Sequence, residues 1–309
     1  MNLNLLQAPS NVVMIRPHRF YTNPETAADN NFQQAGAKSD EIAIKARNEF
    51  DRMVEQLTSE GVKVHCFDDF GQHDTPDSVF PNNWFSTHHG GRVAIYPMLS
   101  VNRRRERRSD VIEMLKCEYR VQEVVDYSGL ELDGLYLEGT GAMVLDHVER
   151  VAYVARSGRA DPILLERFCT TFGYEPMAFD AFDSTGHAIY HSNVMMSIAT
   201  DFVLIGLDSI MDRKRRDEVA CRLAAGRTVI PLFRNQISEF AGNALELTGQ
   251  YGRILAISAR AANCLTALQL KTIQSTAKLL PLDIPTIESA GGSVRCMLAG
   301  IHLTSRSMS

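Results

Sequence analysis

What most restricts this 309-residue chain is a repeat of pattern rather than of identity. A short strand, a turn, a second strand and then a helix recur about every 50 to 60 residues, the spacing of a propeller or array. The hairpins read as NNWFSTHHGGRVAIYP, GAMVLDHVERVAYVA, NVMMSIATDFVLIGL and NALELTGQYGRILAIS. A fifth, RCMLAGIHL near the C-terminus, is less clear and is completed by the N-terminal strand NVVMIRP. Closing five such units in a ring protects every sheet edge. The expected architecture is therefore an α/β chain with a pseudo-fivefold repeat, a five-bladed propeller. Without a Gly, Pro or Ser linker or any shift of composition, it is expected to form a single domain over 1–309.

Helices are expected over Asn102 to Cys117, Asp161 to Phe172, Asp208 to Ala225 and Ala261 to Lys271. Another, Ser39 to Glu60, has Ser39 as its N-cap and Ile42, Ala46, Phe50, Met53 and Leu57 at helical spacing, and stops at Gly61. With 45% hydrophobic and 22% charged residues the chain has ample material for a core. Its formal net charge of −5 argues against nucleic-acid binding, which needs a cationic excess. The basic run from Arg103, Arg104 and Arg105 to Arg107 and Arg108, with Glu106 inside it, reads as a solvated helix face.

No window approaches the roughly 18 apolar residues of a membrane span, and MNLNLLQAPSNVV lacks a signal-peptide pattern, so the expected setting is cytoplasmic and away from membranes. Cys66, Cys117, Cys169, Cys221, Cys264 and Cys296 form no CxxC pair and have no histidine at metal-ligand spacing. Neither a disulfide framework nor a zinc site is suggested, and most of these thiols are expected to fill core space.

In a ring of equivalent units, residues at equivalent points meet around one axis. The start of each first strand is such a point, and the five give Asn82-Asn83, Glu138, His191, Asn243 and Cys296. Each has a plain structural alternative. Cys296, in GGSVRCMLAGIHL, is either a core thiol or a nucleophile whose thiolate is favoured by Arg295 and an imidazolium. His191, in IYHSNVMMS, is either a structural histidine or a general acid and base. Glu138, in YLEGTGAMV, is either a loop acid or an inward carboxylate that holds the histidine or accepts substrate N–H groups, the glycines after it permitting a sharp turn. Asn82, Asn83 and Asn243 are either turn residues or substrate ligands.

Together, MIRPHRFYTNPETAADNNFQ, FPNNWFSTH, LEGTGAMVLDH, YHSNVMMS and VRCMLAGIHL resemble the guanidine-modifying superfamily of amidinotransferases, arginine deiminases and dimethylarginine hydrolases. Within it the chain looks closest to citrulline-utilisation hydrolases, over essentially its whole length. The resemblance implies the five-bladed α/β propeller known as the pentein fold. It also implies Cys296 as nucleophile, His191 as proton donor and then water activator, and Glu138 as substrate-orienting carboxylate. No metal or organic cofactor is implied. A homodimer is implied only by analogy with many members. Arg159, in SGR, with Arg103 or Arg104, resembles the clamp on the substrate carboxylate. Phe80, which opens FPNNW, and Asn243 join the substrate-binding set.

Relatives that act on arginine commonly carry an Asp where this chain has Asn83. A guanidinium is a cation that favours carboxylates, whereas a ureido group is neutral, with a carbonyl oxygen as well as N–H donors. The expected reaction is thus hydrolysis of citrulline to ornithine, ammonia and carbon dioxide through a covalent cysteine thiocarbamate. The alternatives are arginine or dimethylarginine hydrolysis, amidino transfer, or a catalytically silent propeller that binds an amino acid. The segment from Ala27 to Lys38, rich in Asn, Gln and Ala, is expected to act as a lid over the substrate.

Overall fold

The structure, a computed structural model, describes residues 6–34 and 38–306. Strands β1 (Asn11–Pro17) and β2 (Lys63–Asp69) run parallel, joined through the helix Asp40–Ser59. That helix starts where Ser39 Oγ accepts the Ile42 N–H at 3.2 Å, and it buries Ala46, Phe50, Met53 and Leu57. It ends at Gly61, whose φ of +86° and 2.7 Å clearance to Gln250 leave no place for a Cβ.

Four further units follow one plan, an antiparallel hairpin, a helical segment and a third strand parallel to the second. They are β3 (Phe85–His88), β4 (Arg92–Ile95) and β5 (Glu123–Asp126); β6 (Met143–Asp146), β7 (Val151–Ala155) and β8 (Glu175–Phe179); β9 (Met196–Ile198), β10 (Phe202–Ile205) and β11 (Thr228–Pro231); and β12 (Leu245–Gly249), β13 (Gly252–Ser258) and β14 (Lys278–Leu282). The short β15 (Ala299–Gly300) pairs antiparallel with β1, so the two ends of the described chain complete the fifth sheet, as the sequence pattern indicates.

First strands of neighbouring units touch, β15 with β3, β6 with β9 and β9 with β12, and they are mostly buried. The third strands face outward, half exposed, and the repeat read from sequence misses them. Pro176, Pro231 and Pro281 lie within three of them, a residue that a strand tolerates at an edge and that masks the strand pattern.

Three helix expectations need correction. The one over Asn102 to Cys117 is two helices, Val101–Arg104 and Ser109–Glu118, because the chain turns between them to carry Arg103 and Glu106 inward. The one over Ala261 to Lys271 is Ala259–Cys264 followed by Ala267–Gln274, restarted by a capping box between Thr266 and Gln269. The one over Asp208 to Ala225 begins only at Arg213, where Asp212 accepts the Arg215 N–H. The cysteine expectation also fails in part: Cys117 and Cys221 are exposed, and of the remainder only Cys169 and Cys296 are buried. No helix among the described residues is long and apolar enough to cross a membrane.

Candidate active site

The first strands begin in tight turns that meet at one end of the molecule. These are the single turns Pro81–Asn83 and Ser192–Val194 and the short helices Gly139–Ala142 and Val294–Met297. Glycine makes the approach possible. A Cβ on Gly139 would lie 2.4 Å from the Asn82 carbonyl oxygen, and one on Gly141 would lie 2.1 Å from Asn83 Nδ2 and 2.8 Å from His191 Nδ1.

A small cavity of about 20 Å³ opens between these turns. Cys296, His191, Asn83, Phe80, Arg103 and Arg159 line it, together with Asp77, Tyr190, Asn30 and the Ala290–Gly292 backbone. Three expected site residues stand behind this lining. Glu138 supports His191, Asn243 supports Cys296, and the Asn82 amide is buried with neither polar atom bonded. Arg104 turns away toward the Met98 and Leu99 carbonyls, so Arg103 is the arginine of that run that reaches the cavity. Arg103 is 3% exposed, which overturns the solvated-face reading for this residue.

Cys296 Sγ, almost fully buried, accepts N–H groups from Asn193 at 3.2 Å and Asn243 at 3.3 Å. The two amides fix the position of the sulfur at the cavity wall. Asn243 is fixed in turn, its Oδ1 accepting the Arg295 backbone N–H at 3.0 Å and its Nδ2 also reaching the Asn193 carbonyl.

His191 Nε2 lies 2.9 Å from Glu138 Oε2. Burial would raise the Glu138 carboxyl, but Arg159, the bond to His191 and Arg103 outweigh it and hold the group well below the ordinary carboxylate range. Burial lowers the His191 imidazole against the pull of Glu138. The pair is therefore an ionised carboxylate accepting Nε2–H from a neutral ring, which leaves Nδ1 as the basic nitrogen. The resemblance assigns Glu138 to the substrate; in the structure its carboxylate is bonded to His191.

Arg103 donates to Asn83 Oδ1 at 3.0 Å and grips Glu106 through Nε at 2.9 Å and Nη2 at 3.0 Å. An arginine can only donate, so this bond settles which end of the Asn83 amide faces it. Nδ2 is left buried and without a partner.

Asp77, which the sequence reading passed over, sits in TPDSVFPNNW. Its Oδ2 accepts Asn23 Nδ2 at 2.7 Å, its Oδ1 has no partner, and burial raises its carboxyl above the ordinary value. Asn193, the other omission, is the middle residue of the turn Ser192–Val194, as Asn82 is of Pro81–Asn83, so aligning the two turns would have found it.

The segment expected as a lid contributes Asn30 to the cavity lining. Asp29 binds Arg159 with both carboxylate oxygens, to Nε at 2.7 Å and Nη2 at 2.5 Å. Phe32 packs on Tyr190 and Phe240, and Gln34 N–H reaches the Ser289 carbonyl. Residues 35–37 of this segment lie outside the described part. A space of about 20 Å³ takes one or two waters, not an amino acid.

With this geometry in view, the comparisons are decisive at the level of family. The family model described as N,N dimethylarginine dimethylhydrolase, eukaryotic, matches residues 16–303. The chain belongs to that family. Its members and their kin are cysteine-nucleophile hydrolases of guanidino and ureido C–N bonds, and this chain is an enzyme of that kind. No curated protein sequence matches it.

Among solved structures it is similar to a cysteine-to-serine mutant of the N-terminal domain of ArgZ bound to substrate, an arginine dihydrolase from the ornithine-ammonia cycle in Cyanobacteria. That likeness has 15% identity and a TM-score of 0.73, and it covers 95% of this chain and 98% of that one. It is also similar to a cysteine-to-alanine mutant of AgrE with L-arginine, at 16% identity and a TM-score of 0.75, over 96% of this chain but only 41% of that one. A cysteine-to-serine mutant of DDAH from Pseudomonas aeruginosa complexed with citrulline matches at 12% identity and a TM-score of 0.66, over 95% of this chain and all of that one.

Proposed function

We propose that this enzyme hydrolyses the ureido group of citrulline, with Cys296 as nucleophile, and that its five sheets are the blades of one pentein-type α/β propeller whose axis carries the site. The observation that carries the substrate choice is the orientation of Asn83. With Oδ1 committed to Arg103, Nδ2–H is a buried donor without a partner, on a residue that lines the cavity together with Cys296 and His191. A ureido oxygen accepts such a donor, whereas a guanidinium offers only N–H groups and would meet it donor to donor.

In this reading the Cys296 thiolate adds to the ureido carbon, and the developing oxyanion is met by Asn83 Nδ2. His191, its Nε2–H bound by Glu138, takes the Cys296 thiol proton on Nδ1 as that thiolate forms and delivers it to the departing amine. Its Nδ1 then takes a proton from the water that attacks the thiocarbamate. The products are ornithine, ammonia and carbon dioxide, with Cys296 regenerated. Glu138 is a positioning residue, and Asn193 and Asn243 hold the sulfur. Arg159 and Arg103 are the cations available to the substrate carboxylate, and the unpartnered Asp77 Oδ1 suits its ammonium group. Asp29, which occupies the Arg159 fork in the closed state, gives way as the lid opens. Six free thiols fit a reducing cytoplasmic setting.

A second reading, hydrolysis of arginine or a methylated arginine, draws on the family match and on the arginine named with the structural neighbours. It needs a carboxylate for the guanidinium, and Asp77 is the acid among the described lining residues. The test is to incubate the protein with citrulline, arginine and dimethylarginine in parallel and assay ornithine, citrulline and ammonia. A Cys296→Ala control accompanies each reaction. Ornithine and ammonia from citrulline, lost in the control, support the first reading; citrulline formed from arginine or its methylated form moves the assignment to the second.

A further inference from the structure

A second cavity, of about 40 Å³, shares no lining residue with the first. All five first strands contribute to its wall, so it lies within the ring that they form. Gln7 closes one side, its Nε2 donating to the Leu145 and Ile198 carbonyls and its Oε1 accepting the His147 N–H. The volume is that of roughly two or three waters.

Into this space projects Arg295, the neighbour of Cys296. Its guanidinium makes one hydrogen bond, from Nη1 to the Leu298 carbonyl at 2.9 Å, and no ion pair among the described residues. Burial pulls its pKa down to about 10, so it stays a cation at neutral pH. No carboxylate stands among the lining residues. The histidines there, His147 and His302, stack at 3.7 Å, and both are held neutral by burial first and then by surrounding cations, His302 down to about 3. Ser197, 7% exposed, lines the same space with its hydroxyl unbonded.

A buried guanidinium without a counter-charge is costly, and a buried hydroxyl without a partner adds to that cost. Both are relieved by one group of opposite sign. We propose that the cavity is a binding site for one small monovalent anion of chloride size, held by the Arg295 guanidinium and the Ser197 hydroxyl. A larger carboxylate such as the amino-acid substrate exceeds the space, and a divalent oxyanion would bring a second charge that nothing there matches.

The experiment is diffraction from crystals of the full chain equilibrated with sodium bromide, recorded at the bromine edge. It is paired with thermal unfolding in sodium chloride against sodium gluconate at equal ionic strength. The expected results are an anomalous peak in contact with the Arg295 guanidinium and a chloride-specific rise of the unfolding midpoint. That rise is roughly 2 °C for each tenfold increase once the site is half filled. The rise should vanish in Arg295→Met and shrink in Ser197→Ala, the second variant serving if the first does not fold. Density without anomalous signal overturns the proposal. So does a bromide peak accompanied by equal midpoints in the two salts, which marks an adventitious ion only.

Discussion

Arg103 Nη2 donates to Asn83 Oδ1 at 3.0 Å, and that single bond leaves Nδ2 of this cavity-lining residue as a buried donor without a partner. Asn83→Asp keeps the shape and the bond but replaces the donor with a carboxylate oxygen. The account predicts that kcat/KM for citrulline falls about 10²- to 10³-fold, the usual consequence of losing one oxyanion donor, while arginine turnover becomes measurable. Steady-state kinetics on both substrates check this. Unchanged citrulline turnover would contradict the role given to Nδ2.

Glu138 touches His191 and both arginines but does not line the cavity. Replacing it with Gln should lower kcat by about 10²-fold or more, because the imidazole loses the charge that fixes its tautomer. KM should change much less. A residue that bound substrate directly would instead move KM in step, so the split between the two constants decides the matter.

Asp29, in the segment proposed as a lid, binds Arg159 with both carboxylate oxygens. Asp29→Ala should raise the rate of limited proteolysis within residues 27–38 of the ligand-free protein by about fivefold, the effect of losing roughly 1 kcal/mol from a partly exposed ion pair. Citrulline should slow cleavage in both proteins. Cleavage at one rate with and without ligand would sink the lid assignment.

Acid should destabilise the fold early. His88 is buried, His147 and His302 are half-buried, and all three imidazoles are lowered, chiefly by desolvation, His302 to about 3. Their folded pKa values lie below the unfolded value of about 6.5, so the unfolded chain binds more protons in between. Stability from these groups is therefore present above about pH 6.5 and lost as the pH falls below it. Between pH 6.5 and 5.5 the three should together remove roughly 3 kcal/mol. Denaturant unfolding across that range measures the slope, and a flat profile would count against neutral burial of these rings.

Labelling of thiols must allow for Cys117 and Cys221, which are exposed and will react through access alone. In a chain with both replaced by Ser, an alkylating agent should modify Cys296 ahead of Cys169. Protection by citrulline should appear at Cys296 and nowhere else.

Much of this was legible in the sequence because hairpins of apolar strands around Gly-rich turns leave a strong pattern, and the starts of those hairpins gave Cys296, His191, Glu138, Asn83 and Asn243. The third strands were not legible, being short, half exposed and interrupted by proline. The resemblance offers Arg103 or Arg104 without choosing between them, since a linear reading does not reveal which arginine of the five in the run turns inward to meet Glu106. Asp77 carries no mark of its own; its role comes from burial beside Asn23 and from an oxygen left unbonded, both properties of the packed chain. Asn193 was within reach, hidden only because the histidine two residues before it drew the attention.

The most direct measurement is the mass of the intact protein quenched during turnover of citrulline, followed by mapping of the modified residue. The account predicts a covalent thiocarbamate on Cys296 that forms and decays at catalytically competent rates. Its mass also reports the leaving group: a carbamoyl adduct means that ornithine departs first, and an ornithine-bearing adduct means that ammonia does. An adduct on another residue, or turnover of citrulline without any adduct in a Cys296→Ala protein, would contradict it.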